Sequence, residues 1–161
     1  MPATYEPIAT LTGTGSSATL SFTSIPATYT DLVLVINGAL STGNNTRMRF
    51  NNDTASNYSN TALSGDGASA SSYRDSSQTS FSYTGYTDAT ISNFIFNIMN
   101  YANTTTYKTF IQRRNLSTSQ VSSTVGLWRS TSAINQVDVY SASGATWTTT
   151  TTATLYGIKA A

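Results

Sequence analysis

The sequence predicts an all-β chain, an antiparallel β-sandwich of jelly-roll type with about eight to nine strands. Three observations predict it. Short runs of β-branched and aromatic residues recur with a period of two, the spacing that puts alternate side chains on one face of a strand. Clusters of Ser, Asn, Gly and Thr separate these runs. No segment carries the 3.6-residue apolar repeat of an amphipathic helix. A chain of 161 residues is most simply one domain, and at that size folding buries about 68–70% of the surface that the unfolded chain exposes.

The elements follow in order. Residues 1–14, with Pro2 and Pro7, read as an extended N-terminal segment or arm, and residues 15–161 as a single sandwich domain. Ala18, Leu20 and Phe22 share one face of the first strand. The continuous apolar run from Asp31 to Ile36 suits a strand covered on both faces. Arg47–Phe50 and Ser80–Tyr83 alternate again. In the long candidate Thr90–Tyr101, Phe94, Phe96 and Ile98 lie on one side, with Ile91 and Ile95 nearer the other. Lys108–Arg113, Val121–Arg129, Asn135–Tyr140 and Ala153–Ile158 complete the set. Leu40–Asn45 and Asp53–Ser80 read as loops. The second is long enough that contacts of its own are expected, with Tyr58 and Leu63 pinning it to the body.

Composition narrows the function. Ser and Thr fill about a third of the chain, against only 9% charged residues and a net charge of +1, where an average domain has roughly 25% charged residues. With 10 Tyr, 6 Phe and 2 Trp the chain is folded rather than disordered. Its surface is one of neutral hydroxyls and amides. Nothing in it would neutralise a row of phosphates, so nucleic acid is not an expected partner. No apolar run reaches the ~20 residues of a membrane span. The start, MPATYEPIATLTG, has no basic stretch followed by an apolar core, so no secretory signal is expected unless one has been removed. Cys is absent, and with it disulfide and thiolate chemistry.

Candidate sites are few. There is no His, hence no Ser-His-Asp triad and no His-ligated metal. The seven carboxylates include a single Glu, Glu6. Asp53, Asp66, Asp75 and Asp88 could converge as a facing pair of the kind a glycosidase uses, but solvated loop carboxylates explain them better. No catalytic residue and no cofactor is expected. The stretch MRFNNDTASNYSN, Met48 to Asn60, has one acid, Asp53, and lacks the closing Glu of a calcium loop. Asn52, Asp53 and Asn57 are read instead as turn formers, because Asn and Asp bond their own backbone and tolerate left-handed angles. The sequons at Asn44, Asn52, Asn57, Asn103 and Asn115 are by-products of a chain rich in Asn, Ser and Thr. Tyr58, Tyr73, Tyr83, Tyr86 and Trp147 form a candidate interaction surface, since aromatic rings beside amides suit sugars. Packing at a sandwich edge or a subunit interface accounts for the same rings.

Several blocks recur in the order of a known family. YEPIATLT (Tyr5 to Thr12), FTSIPATYTDLVLVING (Phe22 to Gly38), RMRFNNDTASNYS, YANTTTYKT (Tyr101 to Thr109), GLWRSTSAINQVDV (Gly126 to Val139) and TLYGIKA (Thr154 to Ala160) together resemble a family of small virion proteins of tailed phages. One departure is Asn52, where that family's pattern has Gly. Asn tolerates a positive φ better than most residues, so the turn should survive.

The resemblance implies a non-enzymatic β-sandwich protein of the virion, assembled in the host cytoplasm. The first implied role is capsid decoration or cement, as a homotrimer, with the major capsid protein or tail proteins as partners. The alternative is a fibre-tip protein that binds a host surface glycan.

Overall fold

A computed structural model describes residues 4–116 and 119–159 of the chain; for Tyr83 it describes the backbone alone. Among these residues there are twelve strands and no helix: β1 (Tyr5–Thr12), β2 (Thr19–Phe22), β3 (Asp31–Gly38), β4 (Asn44–Phe50), β5 (Tyr58–Gly65), β6 (Ala70–Gln78), β7 (Phe81–Thr87), β8 (Ser92–Met99), β9 (Lys108–Leu116), β10 (Gln120–Trp128), β11 (Val137–Ser141) and β12 (Thr152–Ile158). They form two antiparallel sheets. The larger has the order β1-β12-β3-β8-β9-β10-β5-β6 and the smaller β2-β11-β4-β7.

These orders contain a jelly roll. Without the flanking β1 and β12 and without the β9–β10 hairpin, the sheets read β2-β11-β4-β7 and β3-β8-β5-β6. In the smaller sheet the first and last strands of the roll, β2 and β11, lie side by side, and in the larger the second and second-to-last, β3 and β8, do so, as two wrapped Greek keys require. The β9–β10 hairpin widens the larger sheet between β8 and β5. The larger sheet therefore extends past the smaller, and its β5–β6 end is only partly covered.

The core lies between the sheets. From the larger sheet come Leu32, Leu34, Ile36, Phe94, Phe96, Ile98, Phe110 and Leu155. Leu20, Phe22, Met48, Phe50, Phe81, Val137 and Val139 face them, and all are buried. The period-two alternation puts these residues on one face and hydroxyls, amides and aliphatics on the other. Edge-to-face aromatic pairs fix one end of the core: Phe81 lies 4.7 Å from Phe110, 4.8 Å from Tyr58 and 5.4 Å from Phe50.

All nine strand segments expected from the sequence are strands here, and three more raise the count above the expected eight to nine. β1 is one of them. The N-terminal segment is not a free arm. From Tyr5 it pairs with β12, with a register shift between Pro7 and Ala9. Pro7 has no N–H to donate, and an edge strand tolerates that.

The other two are β5 and β6, which form a hairpin where the sequence suggested a long loop. Asp66 closes its turn by accepting from the amides of Ala68 and Ser69 at 2.9 and 2.7 Å, and Gly67 adopts φ 89°. The hairpin lacks apolar alternation because its strands lie at the partly covered end of the sheet. The expectation that β3 is covered on both faces holds in part: Val33 is buried and Val35 half-buried, though no layer of secondary structure lies over that outer face among the described residues. Val33 and Val35 are flanked there by their in-sheet neighbours.

Candidate functional site

The turn that follows β4 is built from the Asn and Asp residues the sequence singled out. Asn51 and Asn52 adopt φ 51° and 54°, and the Asp53 amide donates to the Phe50 carbonyl at 2.9 Å. This is a tight turn with two left-handed residues, which Asn accommodates. Asp53 then acts as an acceptor hub. Its Oδ1 takes the Ala55 amide at 2.8 Å. Its Oδ2 takes Asn57 Nδ2 at 2.8 Å and the Trp128 indole N–H at 2.7 Å. Burial pushes the carboxyl pKa up, but the hydrogen bonds from Asn57, Trp128 and Ala55 together outweigh it and hold it below the ordinary value.

Two partners of this turn were not found from the sequence. Asn51 Oδ1 accepts from the amides of Asn135 and Gln136 at 2.9 and 3.1 Å, and its Nδ2 donates to Ala133 O at 2.8 Å. Trp128 arrives from β10. Both contacts join segments distant in sequence, and no local pattern signals them. Asn57 differs from expectation in one respect: its side chain binds Asp53 rather than a backbone amide.

The five candidate aromatic residues do not form one surface. Tyr58 and Trp147 are fully buried. The Tyr58 hydroxyl donates within hydrogen-bond reach of the Phe50 and Asp53 carbonyls, at 3.2 and 3.1 Å, and burial pushes its pKa well above that of a free phenol. Trp147 sits beside Leu40, to which it is bridged. Tyr86 is partly exposed, but its ring end lies where a Cβ on Gly43 would be. Tyr73 is also partly exposed, and it borders a small recess beside Arg114. The side chain of Tyr83 lies outside the described residues.

The most conspicuous surface is one the sequence did not single out: the outer face of the larger sheet. Its side chains stand in register rows across the strands. One row runs Thr154, Val35, Ile95, Arg113, Ser123, Leu63, Ser72. The next runs Tyr156, Val33, Asn97, Ile111, Val125, Thr61, Arg74. Val121, Leu63 and Val125 are 64, 61 and 53% exposed. Val121 and Leu63 border a groove of about 930 Å³ that reaches Ile95, Ala70 and Arg113. These two rows hold Arg113 and Arg74 and no carboxylate. No aromatic ring lines the groove among the described residues.

No family model matches the chain, and no curated protein matches it. Among solved structures the chain is similar to the crystal structure of the Caenorhabditis elegans galectin LEC-6. The identity is 9%, the TM-score 0.36, and the match covers 94% of this chain and 96% of that one.

Proposed function

We propose that the chain is a non-enzymatic structural protein of a tailed-phage virion, a decoration or cement protein that seats on the head through the outer face of its larger sheet. The aliphatic rows of that face are the observation that supports this reading most. Soluble proteins seldom leave contiguous aliphatic side chains uncovered, and where they do the patch marks an interaction surface. Leu63, Val121, Val125 and Ile111 come from three neighbouring strands and are all exposed. The block-by-block resemblance to virion proteins supports the same reading.

The chemistry of the face selects the partner. A second copy packed face to face about a twofold axis would bring the Arg113 and Arg74 of both copies onto one interface, and like charges there are unfavourable. A capsid protein that presents aliphatic side chains with carboxylates beside them is complementary. Self-association belongs elsewhere. The sheet edges β1, β6, β2 and β7 carry unpaired backbone groups, and closing a homotrimer over such edges would cover them. The test is the mass of the purified protein by light scattering, alone and with phage heads that lack it. A trimer that co-sediments with heads is expected; a protein that ignores heads counts against the proposal.

The alternative, a fibre-tip protein that binds a host glycan, loses the aromatic cluster on which it was based. Among the described side chains of that set, Tyr73 borders a small recess with polar and charged walls.

A further inference from the structure

We propose that β6 is a strand-accepting edge, along which the head partner lays an extended segment whose aliphatic side chains enter the groove of the outer face and whose Asp or Glu meets Arg74. This rests on the reading that the outer face docks on a phage head, and adds to it a backbone edge and the form of the partner.

The fold leaves one long edge open. Of the four edge strands, β1 carries Pro7 with a register shift beside it, and β2 is four residues long. Both are poor templates for pairing. The edge of β7 is met by side chains of the larger sheet. Asn60 Oδ1 accepts from the Ser82 amide at 3.3 Å, Gln112 Nε2 donates to Thr84 O at 2.8 Å, and Arg114 Nη1 donates to Tyr86 O at 3.0 Å. β6 runs for nine residues without proline. The hairpin shows which of its groups are free. The Asp66 amide donates to Ser69 O at 3.2 Å, and hydrogen-bonded and non-hydrogen-bonded pairs alternate along an antiparallel ladder. Ser71 and Asp75 therefore bond to β5, while the N–H and C=O groups of Ala70, Ser72 and Arg74 point away from the sheet. Among the described residues nothing meets them.

The groove opens onto that edge. Gly65, Ala70 and Ser72 line it there. Ala70 stands in the row of Gly65 and Val121, and Ser72 in the row of Leu63. A strand added beside β6 places the side chains opposite Ala70 and Ser72 in the same two rows, because paired residues share a face. Neighbours this small let aliphatic groups reach over them toward Val121 and Leu63, which are otherwise exposed. Backbone bonds then fix the segment and apolar burial holds it.

Charge and size select the occupant. The residue opposite Arg74 stands on the outer face too. The ion pair among the described residues joins Lys159 and Glu6 elsewhere, so a carboxylate opposite Arg74 finds an unpaired guanidinium. A second copy fits less well. β6 against β6 would set Ala and Ser side chains against one another. It would also join two eight-stranded sheets into one open sheet, past the ~10 strands that twisted open sheets seldom exceed.

The test combines co-sedimentation with amide hydrogen exchange, on the intact protein and on heads that lack it. On heads, the amides of Ala70, Ser72 and Arg74 should exchange at least about tenfold more slowly than in the free protein. Ser72→Pro removes an N–H that faces away from β5, so the ladder inside the sheet stays intact. It should weaken head binding by about tenfold or more, whereas Ser72→Ala should not. Should the proline variant fail to fold, exchange in the wild type decides alone. The proposal is overturned if the wild type binds heads with those amides unprotected, or if folded Ser72→Pro binds unchanged; docking through the outer face survives either result. It is also overturned if the free protein forms an oligomer that Ser72→Pro dissociates, which would assign the edge to a second copy. A wild type that ignores heads removes the docking reading and this proposal with it.

Discussion

Asp53 shows how one side chain can organise a junction between distant segments. Its carboxylate accepts from a local amide, a local side chain and the Trp128 indole of β10. Asp53→Ala would leave those donors without acceptors in a partly buried place, at a cost of about 1–3 kcal/mol, read as a lower urea midpoint with an unchanged slope. The same group sets a pH dependence. Its folded pKa lies below the ordinary value, so its contribution to stability is fully present above that ordinary value and is lost as pH falls through the folded pKa. Asp53→Asn should therefore flatten the acid limb of a stability-against-pH curve and leave the neutral region to report the hydrogen bonds alone. At Asn52, with φ 54°, substitution by Gly should be near neutral, whereas Val should cost about 1–2 kcal/mol in thermal or chemical unfolding. The roles of Asn52 and Asp53 were legible in the sequence because Asn and Asp act on their own backbone. Asn51 was not, because its acceptors and donors lie at residues 133–136.

At the scale of the element, the strands that face the core were legible and those that do not were missed. β3 and β8 bury large apolar residues at every second position, Leu32, Leu34 and Ile36 and Phe94, Phe96 and Ile98, because each has the smaller sheet above it. β6 and the far end of β5 extend beyond that sheet and carry serines there, and the positions buried at the start of β5, Tyr58, Asn60 and Ala62, are not a run of aliphatic residues. The remaining signal was Asp66-Gly67, a turn pair that favours a hairpin, set among too many Ser and Gly residues to stand out. Edge position has a measurable consequence. Amide hydrogens of β6, paired on one side only, should exchange well before those of β3 and β8, which are paired on both. Packing in the β9–β10 hairpin is tighter. A Cβ on Gly126 would come within 2.0 Å of the Phe110 ring, so Gly126→Val should destabilise by about 1–3 kcal/mol through overpacking, seen as a lower melting temperature.

At the scale of the whole molecule, composition announced a neutral sandwich but not where its binding surfaces lie. Aliphatic residues such as Val121, Val125 and Leu63 read in sequence as ordinary strand residues. Only the sheet order places them on an outer face that has no layer above it among the described residues. The aromatics misled for the converse reason: Trp147 sits in a run of Thr, yet loop packing buries it completely. The central claim is that the outer face seats the protein on a phage head. The most direct measurement is co-sedimentation of the wild-type protein and of a Val121→Lys/Val125→Lys variant with heads that lack the protein. Both positions are already exposed, so the variant should keep its melting temperature within a few degrees. The wild type should pellet with heads at saturable stoichiometry, and the folded variant should stay in the supernatant. Equal binding of both, or binding of neither, would contradict it.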